Sequence, residues 1–203
     1  MYPIIKRIFD FIISLTIFIV FLPFFLIITF FLVLYNGGKP YFFQIRPGKN
    51  EKLFKVIKFK TMNEKKDADG NLLPPAQRIT PLGRFIRTTS LDEIPQLLNV
   101  IKGDMSLVGP RPLRVEYLPL YSATQARRHE VKPGITGWSQ VNGRNTVDWE
   151  KRFEMDVWYV NNRSFLLDLK ILFLTFYKVI NKEGINQSEE KTMEPFKGVK
   201  LNG

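Results

Sequence analysis

The chain has 203 residues, which suits one domain with an additional segment, and it is 45% hydrophobic and 14% aromatic; this composition excludes general disorder. It contains no cysteine and one histidine, His129. Disulfide scaffolds, thiol nucleophiles, cysteine-ligated metals and multi-histidine sites are therefore excluded, and a serine–histidine–aspartate triad would have to use His129. The net charge of +11 favours a polyanionic partner: nucleic acid, anionic lipid or a phosphorylated substrate.

A long apolar segment lies near the start of the chain. Residues 11–38 include no charged side chain, and the 25 residues of 11–35 are almost wholly apolar. As a straight helix they would extend about 37 Å, more than the roughly 30 Å of a bilayer's hydrocarbon core. A signal peptide fits poorly because the run is too long and no small-residue cleavage site follows it. A soluble core helix is disfavoured because it would keep a polar face.

Two membrane arrangements remain open for this segment. Pro23, near its middle, predicts a kink. Lys6 and Arg7 precede the apolar run, and Lys39 and Arg46 follow it. The positive-inside rule then places both ends on the cytoplasmic face. This pattern favours a re-entrant helical hairpin over a single span.

The remainder predicts an α+β domain, mostly helical with a few short strands. Residues 41–62 are typical of two strands around a turn at 47–50. This stretch carries six basic side chains, which suit either a solvated strand face or contact with lipid headgroups or substrate phosphates: Arg46, Lys49, Lys52, Lys55, Lys58 and Lys60. Residues 63–77 predict a polar surface loop.

Cap residues predict the helices that follow. Thr80 precedes one that opens at Pro81, and Ser122 begins a capping box with Gln125. Asp148 caps another. Residues 164–180 form a helix too short and too charged to span a bilayer, so it lies either deep in the core or at the membrane interface. Residues 183–203 form a polar tail.

Asp92 and Glu93 are the first candidates for chemistry. Ser90 and Glu93 have the spacing of a capping box for a helix that ends before Gly103. Alternatively Asp92 is the cap, which places Pro95 harmlessly in the first turn. Both alternatives put the two carboxylates at the positive end of a helix, where an ionised aspartate can act as a nucleophile or as a Mg²⁺ ligand.

The sequence Gly109-Pro110-Arg111-Pro112 is the second candidate. Two prolines hold the backbone rigid around one arginine, which suits a bidentate grip on phosphate; a rigid turn with an exposed arginine explains the motif equally well. Other basic side chains could add positive charge nearby: Lys58, Arg84, Arg87 and Arg114.

A third candidate comprises residues 133–138 and 140–145, where glycines permit close backbone approach and Trp138 and polar side chains could bind a ligand. Asn142 and Gly143 are equally typical of a hairpin turn. Asp156 and Asp168 lie on otherwise apolar helices, which favours salt-bridged structural acids over catalytic ones. Neighbouring charges predict that His129 is a surface residue.

Three segments in this order resemble the bacterial sugar transferases called monotopic phosphoglycosyl transferases. They are residues 58–62 (KFKTM), residues 89–112 (TSLDEIPQLLNVIKGDMSLVGPRP) and residues 132–144, which include KPGITGW and QVNGR. The resemblance covers nearly the whole chain and its central motif is highly specific. It is greatest to short members that use UDP-N,N'-diacetylbacillosamine in protein glycosylation.

The resemblance implies a re-entrant N-terminal helix (residues 1–38) and a cytoplasmic catalytic domain (residues 39–182) with interfacial amphipathic helices. It implies transfer of a sugar 1-phosphate from a UDP-sugar to undecaprenyl phosphate, with release of UMP, in ping-pong order. Asp92 would be the nucleophile, and Glu93 would help to hold Mg²⁺ together with it. Further residues that the resemblance assigns to substrate or phosphate binding are Arg111, Lys58, Arg87 and Asp168.

The resemblance also implies a location on the cytoplasmic face of the inner membrane, with phospholipid and downstream glycosyltransferases as partners and no nucleic acid. One departure is Leu22 before Pro23, where relatives often have serine, so the bend would be held differently. Three other functions compete: a membrane-tethered domain that binds nucleic acid or anionic lipid, a glycosyltransferase that releases UDP, and a scaffold without turnover.

Overall fold

The computed structural model describes residues 2–143, 147–181 and 195–198. The described part confirms the predicted α+β class, rich in helix with a few short strands. Its elements are α1 (Tyr2–Tyr35), β1 (Tyr41–Pro47), β2 (Leu53–Phe59), α2 (Pro75–Arg78), α3 (Pro81–Thr88), α4 (Gln96–Lys102), β3 (Ser106–Val108), α5 (Ala123–Ala126), β4 (Gly134–Thr136), α6 (Trp138–Asn142), α7 (Trp149–Asn162) and α8 (Phe165–Ile180). The boundaries at residues 38 and 182 stay predictions, and most of the predicted tail lies outside the described residues.

Helix α1 is long and apolar enough to cross a membrane. Its buried residues are Asp10, Ser14, Phe25 and Leu32, which share one face at helical spacing. Large apolar side chains on the other faces are exposed along its whole length, for example Ile4, Phe24 and Leu34. An apolar surface of this extent is typical of a helix that contacts lipid.

Both ends of α1 contact the part of the chain that follows it. Near the start, the Arg7 guanidinium donates to the carbonyl oxygens of Val100 and Ile101, at 2.6 and 2.7 Å. Just past the other end, the Asn36 amide donates to the Lys60 carbonyl at 2.9 Å. The two ends of the helix are therefore fixed to the same folded unit.

The helix assignment continues through Pro23, from Tyr2 to Tyr35. Proline lacks the N–H that would complete the preceding turn, so a local weakness is expected there. The bend at Pro23 and the hairpin remain predictions.

Strands β1 and β2 form the predicted antiparallel hairpin, with Tyr41 opposite Phe59 and Pro47 opposite Leu53. At one end of it, the Tyr41 and Phe59 rings stack 5.8 Å apart. The Phe25 ring of α1 packs against Phe59 at 5.2 Å. Helix α1 and the hairpin thus share one aromatic cluster.

The main core lies between α1, α4, α7 and α8, around Val100, Met105, Tyr159 and Ile171. The short parallel strands β3 and β4 pair within it. Helix α4 buries Leu97 and Val100, which lie three residues apart on one face.

The predicted N-caps are confirmed in three helices. Thr80 accepts from the Gly83 amide at 2.9 Å, and Asp148 accepts from the Lys151 amide at 2.8 Å. Ser122 and Gln125 form the complete capping box. The predicted turn at Asn142 and Gly143 is wrong, because α6 continues to Asn142.

Helix α8 exposes a stripe of large apolar side chains, which includes Leu166, Phe173, Phe176 and Ile180. The alternative of a helix deep in the core is therefore excluded. An exposed apolar stripe on a partly polar helix favours the membrane interface, which stays a prediction.

The prediction that His129 is a surface residue is wrong, because His129 is only 6% exposed. It lies in a 3-10 turn, where it packs against the Tyr121 ring. Its neighbours Arg127 and Glu130 face solvent. Burial and, to a smaller extent, the charge of Arg128 together lower the pKa of His129 from 6.5 to about 4. The histidine is therefore neutral in the folded protein at neutral pH.

We expect His129→Gln to reduce the loss of stability in mild acid. As the pH falls from 6.5 towards 4, the unfolded chain binds a proton that the folded protein excludes, so wild-type stability falls by up to about 3 kcal/mol in this window. Chemical unfolding of both proteins at pH 7.5, 5.5 and 4.5 measures the difference. Parallel curves for the two proteins would contradict the assignment.

Candidate active site

Asp92 and Glu93 lie in one 3-10 turn, Leu91–Glu93, just before α4. Ser90 adopts a left-handed conformation with φ of 57° and caps no helix. Both predicted caps are wrong, because a cap needs an extended residue before the helix, whereas Ser90 is left-handed and the residue before α4 is Pro95 rather than Asp92. The Glu93 side chain does not turn back to the Ser90 amide; it pairs with cations from other segments.

Glu93 holds two basic side chains together. Its Oε1 atom accepts from the Lys58 ammonium at 2.7 Å and from the Arg111 guanidinium at 2.6 Å. Burial by itself would raise the pKa of Glu93, but the charges of Arg111 and Lys58 and the bonds they donate hold it well below its usual value. Glu93 is thus a permanent anion that fixes both cations.

Asp92 is less strongly bound than its neighbour. Its Oδ2 atom lies 3.7 Å from the Lys58 ammonium, beyond hydrogen-bonding distance. Burial raises the pKa of Asp92 above its usual value, and Lys58 partly opposes this shift. The position of Asp92 at a helix end predicts a lowered pKa, but the effect of desolvation is larger. A desolvated carboxylate with a weak partner has the properties of an available nucleophile.

These residues line a cleft of about 560 Å³, a volume typical of small-molecule sites. Five basic side chains border it: Lys58, Arg87, Arg111, Arg128 and Arg152. The acids are Asp92, Glu93 and Asp156. The excess of positive charge suits a phosphorylated ligand.

The structure thus brings together five of the six predicted site residues. Arg87 joins the cleft near Met62, whose sulfur accepts from its guanidinium at 3.6 Å. Asp168 is the exception, since it does not line the cleft. It accepts from Lys6 at 2.6 Å and from the Tyr2 and Tyr159 hydroxyls at 2.8 and 2.7 Å. It therefore anchors α1 to the domain, which agrees with the structural interpretation of this acid.

The backbone of the Pro-Arg-Pro motif is held by Arg128, a residue that the sequence did not single out. Arg128 donates to the Arg111 carbonyl at 2.7 Å and pairs with Asp156 at 2.8 Å. The Ser139 hydroxyl donates to the other Asp156 oxygen at 2.7 Å. Arg128 lies in an Arg-Arg-His-Glu run that is typical of a surface, so its burial could not be recognised from the sequence.

Two glycines of the motifs allow backbone segments beside the cleft to touch. A β-carbon on Gly109 would lie 2.4 Å from the Lys132 carbonyl oxygen, and one on Gly137 would lie 2.2 Å from that of Gly109. The predicted close approach therefore takes place between chain segments. Arg144 and Asn145, predicted to contribute here, lie outside the described residues.

The carboxylates of Asp92 and Glu93 fit a Mg²⁺ ion. No group of three potential metal ligands comes together within the described ranges. Mg²⁺, however, commonly takes one or two carboxylates and completes its shell with water and substrate phosphates. Two adjacent carboxylates in a cleft with an excess of basic side chains meet that requirement.

We expect Asp156→Asn to destabilise the protein by about 3–5 kcal/mol, because it leaves the buried Arg128 charge without its counter-ion. The matched control is Glu130→Gln, which removes the exposed pair with Arg127 and should leave the free energy of unfolding nearly unchanged, because exposed ion pairs contribute little to stability. Denaturant unfolding in detergent gives both values. Equal small effects would show that the Arg128 pair does not hold this region.

Comparison with known proteins agrees with this geometry. Residues 1–182 match the family model for bacterial sugar transferases. The sugar transferase EpsL of Bacillus subtilis is 62% identical over 162 residues, covering 79% of this chain and 80% of EpsL.

Two longer relatives carry names that state a reaction. The undecaprenyl-phosphate galactose phosphotransferase of Salmonella typhimurium is 41% identical over 196 residues, covering 88% of this chain and 41% of the relative. The UDP-glucose:undecaprenyl-phosphate glucose-1-phosphate transferase of Klebsiella pneumoniae is 42% identical over 188 residues, covering 87% and 40%. This chain spans about two-fifths of either one. The prediction of a transferase is confirmed, and the chain belongs to the bacterial sugar transferase family.

Proposed function

We propose that this protein transfers a sugar 1-phosphate from a UDP-sugar to undecaprenyl phosphate and releases UMP. The observation that carries the proposal is the pair Asp92 and Glu93 in a cleft bordered by five basic side chains. Two anionic substrates must meet in this reaction, so positive charge has to come from the protein or its cofactor. The names of the Salmonella and Klebsiella relatives state reactions of this class.

Asp92 acts as the nucleophile in this proposal. Its carboxylate oxygen attacks the phosphorus linked to the sugar, and the bond to the bridging oxygen of UMP breaks. UMP leaves, and an aspartyl-phosphosugar remains. A phosphate oxygen of the polyprenyl acceptor then attacks the same phosphorus, which frees the Asp92 carboxylate. Two displacements on one enzyme predict ping-pong kinetics.

Lys58 and Arg111 stabilise the negative charge that develops on the transferred phosphate. Glu93 holds both at hydrogen-bonding distance, so their positions are set before substrate binds. Preorganised charges need not reorient during the reaction, which is the main source of electrostatic catalysis. Glu93 and Asp92 would hold Mg²⁺, which supplies further positive charge to the substrate phosphates when bound.

The arrangement of α1 supports a lipid acceptor. Arg7 and Asn36, near its two ends, both bond to the same folded unit. We infer that both ends lie on the cytoplasmic face of the inner membrane and that α1 enters the bilayer without crossing it. The cleft then lies near the headgroups, where the phosphate of undecaprenyl phosphate resides.

The donor sugar is left open by the cleft residues. The relatives favour UDP-galactose and UDP-glucose by their names, and two relatives are named for exopolysaccharide production. We therefore propose a role in polysaccharide assembly, upstream of glycosyltransferases that extend the lipid-linked sugar. UDP-N,N'-diacetylbacillosamine and protein glycosylation are the alternative, and the donor panel below distinguishes them.

The donors to be tested are UDP-galactose, UDP-glucose and UDP-N,N'-diacetylbacillosamine. We expect purified protein with Mg²⁺ and undecaprenyl phosphate to release UMP from one of them. Asp92→Asn should reduce the rate of this release at least about a thousandfold, because the amide is a poor nucleophile. Asp69→Asn makes the same chemical change in an exposed loop and should keep full activity. Release of UDP, or UMP undiminished by Asp92→Asn, would overturn the proposal.

The membrane arrangement has its own test, which the absence of native cysteine makes simple. We expect Pro3→Cys and Lys39→Cys, at exposed positions on either side of the apolar segment, to react with an impermeant maleimide from the same side of sealed vesicles. Lys65→Cys, in the exposed loop of the catalytic domain, marks that side. Labelling of Pro3→Cys from the opposite side would establish a span.

A further inference from the structure

A second cavity lies at the amino end of α1. Its volume is about 140 Å³ and it shares no lining residue with the catalytic cleft. Seven charged side chains border it, of which five are basic and two acidic: Lys6, Arg7, Lys49, Lys132, Arg163, Asp10 and Glu130. Neither the reaction nor the anchoring of α1 accounts for this excess of positive charge.

The two acids at this cavity are already engaged. Asp10 accepts from the Ser106 hydroxyl at 2.7 Å and lies 3.8 Å from the Lys6 ammonium. Glu130 pairs with Arg127, on the 3-10 turn outside the cavity, at 2.8 Å. Neither carboxylate is therefore available to neutralise the remaining cations.

Four of the five cations form no ion pair within the part of the chain that the structure describes. Arg7 donates to backbone carbonyls, and no carboxylate of the described residues lies within salt-bridge distance of Lys49, Lys132 or Arg163. Burial and the charge of Arg7 lower the pKa of Lys132, and the charge of Asp10 only partly opposes this shift. The cavity thus holds an excess of positive charge that an anion would stabilise.

The cavity also lies where two lipid-facing helices begin. The Phe9 ring of α1 meets the Phe165 ring at the start of α8, with centroids 5.1 Å apart. Next to these rings, Ile4, Ile5 and Leu166 expose 69, 45 and 78% of their surface. Exposed apolar side chains beside a basic cluster are typical of the boundary between acyl chains and headgroups.

We propose that this cavity binds the phosphate ester of an anionic phospholipid headgroup, with Lys49, Lys132 and Arg163 as its cationic ligands. Basic pockets beside membrane helices bind headgroups in this way. The exposed isoleucines of α1 and Leu166 of α8 would contact the acyl chains. A bound lipid would hold the beginnings of both helices together at the membrane surface.

The test uses the full chain in zwitterionic detergent. Its melting temperature is measured during titration with dihexanoylphosphatidylglycerol, dihexanoylphosphatidylcholine or inorganic phosphate. Phosphatidylglycerol at about ten times its dissociation constant should raise the melting temperature by about 3 °C or more. The other two additives should leave it within about 1 °C.

The double variant Lys49→Gln/Lys132→Gln should lose most of this shift. Lys65→Gln/Lys66→Gln removes the same charge from an exposed loop and should keep it. If the first double variant does not fold, Arg163→Gln, at an exposed position, replaces it and should reduce the shift. Equal shifts with phosphatidylcholine, with inorganic phosphate alone, or in the variants that lack the cations would overturn the proposal.

Discussion

The site depends on one half-buried negative charge that two positive charges balance. A carboxylate withdrawn from water is costly unless ionic partners surround it, and Glu93 has Lys58 and Arg111 at 2.7 and 2.6 Å. These partners come from β2 and from the Pro-Arg-Pro segment, which are distant in sequence. The pairing of Glu93 with these two cations therefore brings β2 and the Pro-Arg-Pro segment together to form the cleft. Asp92, one residue earlier in the chain, lies in the same cleft.

Two other buried acids organise the rest of the protein in the same way. Asp156 binds Arg128, which in turn holds the carbonyl of Arg111. Asp168 binds Lys6 and two tyrosine hydroxyls, which fixes α1 to α7 and α8. Charge pairing thus connects the membrane helix, the core and the catalytic segment. Because these pairs are buried, the loss of one partner would leave an unpaired charge in the interior and destabilise the fold.

Basic side chains are concentrated in two places, the catalytic cleft and the cavity at the start of α1, and we propose a different role for each. The cleft holds cations near the proposed nucleophile, where transferred phosphate would lie. The cavity at the start of α1 holds cations at the depth proposed for headgroups. Both lie beside exposed apolar surface, on α1 and α8, which suits the lipid acceptor that we propose.

Local sequence determined much of the fold. The apolar run predicted α1, two strands around a turn predicted the β1–β2 hairpin in residues 41–62, and Thr80, Ser122 and Asp148 predicted helix starts, because caps and turns act over a few residues. Of the six site residues that the family resemblance suggested, five line one cleft. Predictions from local sequence were wrong where a side chain pairs with distant residues instead. Glu93 has the spacing of a capping box but pairs with Lys58 and Arg111.

Tertiary structure alone decided which charged residues are interior. Arg128 and His129 lie in a run that looks like surface, yet both are buried: Arg128 reaches Asp156 only after α7 packs against that turn, and His129 packs against the Tyr121 ring. Asp168 belongs to the anchoring of α1 and not to the cleft, which depends on how α1 lies across α8. The sequence by itself therefore determined the helices, the hairpin and the motif residues, whereas the burial and pairing of charge depended on contacts between segments far apart in the chain.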